Sequence, residues 1–139
     1  MADFLNAPLD QTPVAIYRDA GGVVNDYITA ANRYNREHRE VRIIGDCYSA
    51  CMMALSVRSV CLYPKAKVYF HFIRSAVTGL ADPVMTEKLI LNFPYPIYER
   101  LLGNLQADFT PAATLSGAQL IELGYKACPD AVFAPGGAR

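Results

Sequence analysis

The strongest constraint on the fold of this chain is an alternation of strand and helix patterns in its first half. The β-branched and aromatic residues of "PVAIYRD" (13–19) predict a short strand. From Val23 to about His38, apolar residues recur at the spacing of an amphipathic helix. They are Val23, Val24, Tyr27, Ile28, Ala31 and Tyr34. "EVRIIGD" (40–46) then predicts a second strand.

The alternation continues beyond the second strand. "SACMMALSV" (49–57) predicts a helix of small residues, and "SVCLY" (59–63) and "KVYFHFI" (67–73) predict two more strands. A strand, helix, strand, helix, strand order predicts an α/β fold with a parallel sheet and right-handed crossovers. Two more helices are expected. One begins at Asp82 as N-cap, and the other has Ser116 as N-cap and Gly124 just past its end.

These patterns define the expected domain organisation. We expect one domain over residues 13–130, because a chain of 139 residues is long enough to bury a core. Residues 1–12 are polar and contain proline, which predicts a mobile arm. Residues 131–139, with "APGGAR", predict a disordered tail.

Composition limits the partners of this protein. Lys plus Arg and Asp plus Glu both total 13, so no net charge draws the chain to nucleic acid. The apolar runs are far shorter than the roughly 20 residues of a membrane-spanning helix, so we expect no membrane span. "MADFLNAPLDQ" has no basic start followed by an apolar stretch, so no signal peptide is expected at this N-terminus. The compartment stays open between exported, for example periplasmic, and cytoplasmic.

The four cysteines do not settle the compartment either. Cys47, Cys51, Cys61 and Cys128 form two disulfides in an oxidising compartment or remain buried thiols in a reducing one. Zinc is disfavoured, because there is no C-x2-C pair and neither histidine lies near a second ligand cluster. Structural roles are favoured for all four. A disulfide from Cys47 or Cys51 to Cys61 is one option.

Ser49 is the candidate nucleophile. It lies at the junction of a predicted strand and a predicted helix, where a side chain is exposed at the carboxyl edge of the sheet. The N–H of Ala50 at the helix start, and a second N–H from the Gly21–Gly22 turn, are candidate oxyanion donors. His71 ends a strand and is the only histidine in an apolar context, which makes it the candidate base.

Four segments carry a resemblance to a known family. They are "YRDAGGVVNDYITAANRY", "VRIIGDCYSACMMAL", "VCLYPKAKVYFHF" and "TLSGAQLIELGYK". In that order they resemble the Clp protease proteolytic subunit and its crotonase-fold relatives. The closest likeness is to small bacterial ClpP-like proteins with a G-x-C-x-S-A-C signature. The resemblance spans about residues 13 to 128.

The resemblance implies a ClpP/crotonase-like fold, in which a parallel sheet is built from repeated β-β-α and β-α units with flanking helices. It implies that Ser49 is the nucleophile and His71 the general base. Gly22 and Ala50 would supply the oxyanion-hole N–H groups. Residues 85–105 would correspond to the handle helix that mediates ring assembly, so a homo-oligomer is implied.

One element departs from the family pattern. The position of the triad aspartate is occupied here by Ala112, and Asp108 is the nearest carboxylate upstream. Losing the acid of a triad costs on the order of 10⁴ in turnover. The chain therefore recruits Asp108, orients His71 through a backbone carbonyl, or is a weak or inactive hydrolase. A lysine base, Lys67 or Lys88, and a nucleophilic Cys47 or Cys51 are less favoured alternatives.

These observations predict a ClpP-like serine peptidase or other serine hydrolase that acts on peptides or unfolded proteins. No metal and no organic cofactor is expected. The alternative is a catalytically weak or inactive binding or scaffold protein with the same fold. A crotonase-type acyl-CoA enzyme is a third hypothesis, disfavoured because no acidic residue lies at the matching turn.

Overall fold

The structure is a computed structural model that describes residues 3–70, 77–79, 93, 99 and 113–129. It is a mixed α/β fold. The strands are β1 (Val14–Asp19), β2 (Val41–Tyr48), β3 (Val60–Leu62), β4 (Lys67–Phe70), β5 (Ala113–Ser116) and β6 (Lys126–Ala127). The helices are α1 (Val24–Glu37), a 3-10 helix (Ser49–Ser56) and α2 (Gly117–Glu122).

The strands in the described part of the chain form one sheet around β2. β2 pairs with β1 along most of its length, with β3 through its first residues and with β4 through its last. β6 lies beyond β3, and β5 lies beyond β4. The pairings with β2 and the β3–β6 pairing are parallel, but β5 runs antiparallel to β4. The sheet is therefore mixed, where the sequence patterns predict a parallel one.

A bulge interrupts the pairing of β1 with β2. The register shifts between Ile16 and Arg18, where Tyr17 of β1 faces two residues of β2, Ile44 and Gly45, so the extra residue lies in β2. Gly45 makes this possible, because a Cβ at that position would lie 2.0 Å from the carbonyl oxygen of Tyr17. Beyond the bulge the two strands pair again, with Asp19 opposite Cys47. The glycine of "IIGDC" therefore allows β1 and β2 to end side by side.

Helix α1 packs on the sheet through the face that the periodicity predicts. Its buried residues are Tyr27, Ala30, Ala31 and Tyr34. The helix ends at His38, whose φ of 53° lies in the left-handed region, and the His38 N–H donates to the carbonyl of Asn35. On the outer face, Arg33 and Glu37 form an i,i+4 ion pair at 2.9 Å. The amphipathic-helix prediction is confirmed.

The residues before β1 are held against α1. Phe4 is buried, with its ring stacked on Tyr27 and edge-on to Tyr34. The Tyr34 hydroxyl donates to the carbonyl of Phe4. The guanidinium of Arg39, which is fully buried, donates to the carbonyl of Pro8. The segment that the polar composition predicts to be a mobile arm is thus packed against α1 by Phe4 and by the hydrogen bonds from Tyr34 and Arg39.

The segment after β2 is a 3-10 helix where the sequence predicts an α-helix. All its residues from Ala50 to Leu55 are buried. A run that is buried on every side has no polar face, so its sequence carries no periodicity that separates the two helix types. At the other end of the fold, α2 begins as predicted. Ser116 caps it, and the side chains of Ser116 and Gln119 form a capping box.

β5 and β6 were not predicted. β5 ends at Ser116, which the sequence patterns predict only as the N-cap of the last helix, and β6 has only two residues. The helix predicted from Asp82 lies outside the described residues. No described helix is long and apolar enough to cross a bilayer.

Candidate active site

The candidate site lies where three parallel strands end. β1, β2 and β4 end at Asp19, Tyr48 and Phe70. Asp19 lies opposite Cys47, and Tyr48 lies opposite Tyr69. Because the carboxyl ends of parallel strands meet at one edge of a sheet, the turns that follow β1 and β2 are neighbours.

Ser49 occupies a tight turn between β2 and the 3-10 helix. Its φ is 59°, in the left-handed region that residues with a side chain rarely adopt. Such a conformation costs about 1–2 kcal/mol, so tertiary contacts must hold it. The preceding residue, Tyr48, is extended, and its side chain makes no capping hydrogen bond. Ser49 is half-buried.

A disulfide closes the Ser49 turn. Cys47 and Cys51 are bonded to each other, with their Cα atoms 5.3 Å apart, and both are fully buried. Cys61 is bonded to Cys128. The structural role predicted for the cysteines is confirmed, but the pairing of Cys47 or Cys51 with Cys61 is wrong. A thiolate nucleophile at Cys47 or Cys51 is incompatible with the disulfide, so that alternative is not retained.

The backbone of Gly21 packs directly against the Ser49 turn. Gly21 has a φ of 85°. A Cβ at this position would lie 2.7 Å from the carbonyl oxygen of Tyr48, 2.9 Å from the Cβ of Ser49 and 3.3 Å from the nitrogen of Ala50. Only glycine allows this approach, because the space that a side chain needs is filled by backbone atoms.

Asp19 holds the glycine turn in place. One carboxylate oxygen of Asp19 accepts a hydrogen bond from the N–H of Gly21 at 2.9 Å. The same oxygen accepts from the hydroxyl of Tyr27, on α1, at 2.5 Å. Burial of the Tyr27 hydroxyl, followed by its hydrogen bond to Asp19, raises the pKa of Tyr27 well above its ordinary value. The turn is thus tied to the core helix.

The two predicted oxyanion donors differ in accessibility. Gly22 is exposed, and a Cβ there would make only ordinary contact, 3.5 Å from the Tyr27 ring. Ala50 is buried, with 1% of its surface exposed. Its amide lies at the start of the 3-10 helix, where N–H groups have no partner within the helix. A Cβ on Gly21 would lie 3.3 Å from this nitrogen, so the two donors lie on neighbouring turns, of which Gly22 is exposed and Ala50 is buried.

An aromatic pair lies beside the turn. The rings of Tyr48 and Tyr69 stack with centroids 4.3 Å apart, and the guanidinium of Arg18 lies 5.8 Å from the Tyr48 ring centroid. A hydrogen bond with Tyr69 raises the pKa of Tyr48. Tyr69 is half-buried, whereas its strand neighbours Val68 and Phe70 are buried. Tyr69, on the half-exposed face of β4, therefore lies beside Tyr48, the residue before Ser49.

Two of the predicted catalytic residues lie outside the described residues: His71, which directly follows Phe70 in the chain, and Asp108. Ala112 and Lys88 also lie outside them. Lys67 is described and exposed at the start of β4, opposite Asp46 and Ser116. It therefore lies at the end of β4 away from Ser49, which does not favour a lysine base.

The structure adds two residues that the sequence analysis did not single out, Asp19 and Tyr27. The sequence could have indicated the role of Asp19, since an aspartate often forms a turn in which its carboxylate accepts a hydrogen bond from the N–H two residues later. The sequence did not indicate the role of Tyr27, because this residue is one of several on the buried face of α1.

The described residues do not include a group of three or more His, Cys, Asp and Glu side chains that could hold a metal ion. Comparison of the chain with protein-family models finds no match, and comparison with curated proteins finds no significant match.

Proposed function

We propose that this chain is a serine hydrolase with a ClpP/crotonase-like fold that cleaves peptides, and that Ser49 is its nucleophile. One observation carries the proposal. Ser49 has a φ of 59° at the end of the central strand, and a glycine turn packs against it. A strained turn at the carboxyl edge of a sheet is where a nucleophilic serine is expected.

The proposed chemistry is acyl transfer. The Oγ of Ser49 attacks the acyl carbon of the substrate, and His71 accepts the hydroxyl proton and returns it to the leaving amine. Water then releases the acyl group from Ser49 by the same two proton transfers. The N–H groups of Gly22 and Ala50 hold the oxyanion, and a donor of this kind contributes about 3–4 kcal/mol.

The position of β4 supports the proposed base. His71 follows the last described residue of β4, and β4 pairs with β2 up to Tyr69. Strand alternation predicts that His71 shares a face with Tyr69. Since Tyr69 stacks on Tyr48, next to Ser49, a histidine on that face would have a short path to the nucleophile. Asp108 is proposed as the residue that orients His71, on the resemblance alone.

Of the two proposed donors Ala50 is the less accessible, because 1% of its surface is exposed whereas Gly22 is exposed. The implied homo-oligomer, with residues 85–105 at its contacts, would restrict substrates to peptides and unfolded chains.

The rival function is a binding or scaffold protein that keeps the fold without turnover. Two observations favour it: Ala112 at the position expected for the acid, and the burial of Ala50, which is one of the proposed oxyanion donors. Both functions predict the same fold, so they differ only in the reactivity of Ser49.

The deciding experiment is intact mass spectrometry after incubation with a fluorophosphonate, which forms a phosphorus–oxygen bond to an activated serine and releases fluoride. We expect one adduct on the native chain and none on Ser49→Ala or His71→Ala. Ser56→Ala is the matched control, because Ser56 lies at the other end of the same 3-10 helix and should leave the adduct unchanged. Cleavage of a peptide library would then test the peptide substrate.

Absence of an adduct on a folded native chain would refute the hydrolase and leave the binding protein. An adduct that survives in Ser49→Ala would place the reactive serine elsewhere.

A further inference from the structure

We propose that the Cys47–Cys51 disulfide positions Ser49, so that the reactivity of the site depends on the oxidation of this one cysteine pair. The inference rests on the proposed function, and it assigns that function a means of regulation. It starts from where the disulfide lies, which is two residues before and two residues after the candidate nucleophile.

The two ends of the disulfide are anchored in different ways. Cys47 lies in the central strand and is paired on both sides, with Asp19 of β1 and Val68 of β4. Cys51 lies in the first turn of the 3-10 helix, in the core. The bond therefore ties the start of the helix to the central strand of the sheet, across a loop with Ser49 at its centre.

Few other local contacts hold this turn. The helix has no side-chain N-cap, since Tyr48 makes no capping hydrogen bond. A 3-10 helix also has poorer hydrogen-bond geometry than an α-helix, and an eight-residue one is long for its type. With a strained φ at Ser49, the covalent link is the contact best placed to keep the turn in its observed form.

Loss of the Cys47–Cys51 bond would change the conformation of the Ser49 turn while the rest of the fold stays intact. Two free thiols at these buried positions would remain as small apolar side chains in the core. The loop from Cys47 to Cys51 would then be free to leave the left-handed conformation at Ser49. That change would separate Ser49 and Ala50 from the Gly21 turn, which fits only the observed backbone.

The redox step is a two-electron exchange with a dithiol. One thiolate of the dithiol attacks a sulfur of the Cys47–Cys51 bond and forms a mixed disulfide. The second thiolate displaces the remaining cysteine, and both cysteines end as thiols while the dithiol becomes a disulfide. Both sulfurs are buried, so we expect this reduction to require local opening of the turn.

The chain supplies a matched control in its second disulfide. Cys61 lies opposite Arg42, near the start of β2, and Cys128 lies just after β6. Arg42 is seven residues before Ser49, which directly follows the last residue of β2, and this separation corresponds to roughly 20 Å. This disulfide joins residues 67 apart in the sequence, against 4 for Cys47–Cys51. Its removal should destabilise the protein more without touching the Ser49 turn.

The experiment compares two double variants, Cys47→Ala/Cys51→Ala and Cys61→Ala/Cys128→Ala, at a temperature where circular dichroism shows both to be folded. The rate of fluorophosphonate adduct formation is measured by intact mass. We expect the first pair to slow labelling on the order of 10- to 100-fold, the cost typical of a misplaced catalytic group. The control pair should stay within about two-fold of the native chain, as distant sites act independently.

A second measurement separates failure of this inference from failure of the proposed function. Amide hydrogen exchange of Ser49 and Ala50 should accelerate in Cys47→Ala/Cys51→Ala and not in the control. If the native chain forms no adduct, the hydrolase is refuted, and this exchange pattern alone decides whether the disulfide positions the turn.

Native-rate labelling, or unchanged exchange, in a folded Cys47→Ala/Cys51→Ala variant overturns the inference. Should that variant not fold, the native chain is treated with dithiothreitol and its thiols are alkylated. Peptide mass then identifies molecules reduced only at Cys47 and Cys51, and their labelling rate is compared with that of the oxidised chain. Equal rates would overturn the inference in the same way.

Discussion

Substitution of Gly21 by alanine tests whether the glycine turn and the Ser49 turn are in the contact described above. The new Cβ would lie 2.7 Å from the carbonyl oxygen of Tyr48 and 2.9 Å from the Cβ of Ser49. Neither atom is the far end of a flexible side chain. Accommodation therefore requires the backbone of one turn to shift, and the shift would occur at the candidate site itself.

The expected loss of stability has two parts. A φ of 85° costs a residue with a side chain about 1–2 kcal/mol. Overlap in a packed region costs about 1–3 kcal/mol more. Gly124→Ala isolates the first part, because Gly124 has a φ of 116° and a Cβ there would meet nothing within 4 Å. The difference between the two variants, about 2 kcal/mol, measures the contact with the Ser49 turn.

The assay is equilibrium unfolding in urea, followed by far-ultraviolet circular dichroism because the chain has no tryptophan. With a slope of about 2 kcal/mol per molar urea, Gly21→Ala should unfold about 1 M earlier than Gly124→Ala. Gly22→Ala should be close to native, since its Cβ would make only ordinary contact with Tyr27. Equal midpoints for Gly21→Ala and Gly124→Ala would refute the close packing of the two turns.

Two further predictions concern residues of the same site. Ser49→Gly should be more stable than Ser49→Ala by about 0.5–1 kcal/mol, because glycine adopts a φ of 59° without strain. The urea midpoints of the two variants measure this difference, and equal midpoints would contradict a strained turn. Tyr27→Phe should cost about 1 kcal/mol near pH 8, through its lost hydrogen bond to Asp19. The pKa of Tyr27 is higher in the folded state than its value of about 10 in the unfolded chain. The native chain therefore loses stability as the pH rises above about 10. The gap between the Tyr27→Phe variant and the native chain should therefore narrow from pH 10 to 11, and a constant gap would contradict this.

Much of the first half of the fold follows from local sequence patterns. The apolar spacing from Val24 to Tyr34 predicts α1 because a helix that packs on a sheet buries one face. Ser116 predicts the start of α2 because an N-cap acts on the backbone N–H groups of the next turn. β1, β2, β3 and the described part of β4 likewise coincide with short β-branched and aromatic runs.

Other elements depend on contacts that sequence patterns do not contain. β5 has only four residues, and it is a strand because its backbone pairs antiparallel with β4. Four cysteines allow three pairings, and Cys61 meets Cys128 because β3 pairs with β6, which leaves Cys47 to Cys51. The N-terminal segment is held by Phe4 and by the buried Arg39, whose partners lie on residues distant in the chain.

In the candidate site, too, some features follow from local sequence and others depend on tertiary contacts. The sequence by itself determined the candidate residues Ser49, Gly22 and Ala50, because a serine at a strand end and adjacent glycines are local features. Only the tertiary structure decided that Gly21 packs on Ser49 and that the Tyr27 hydroxyl on α1 donates to Asp19. The physical reason is distance along the chain. Gly21 and Ser49 are about 30 positions apart, and they meet here because two parallel strands bring their ends to one edge of the sheet.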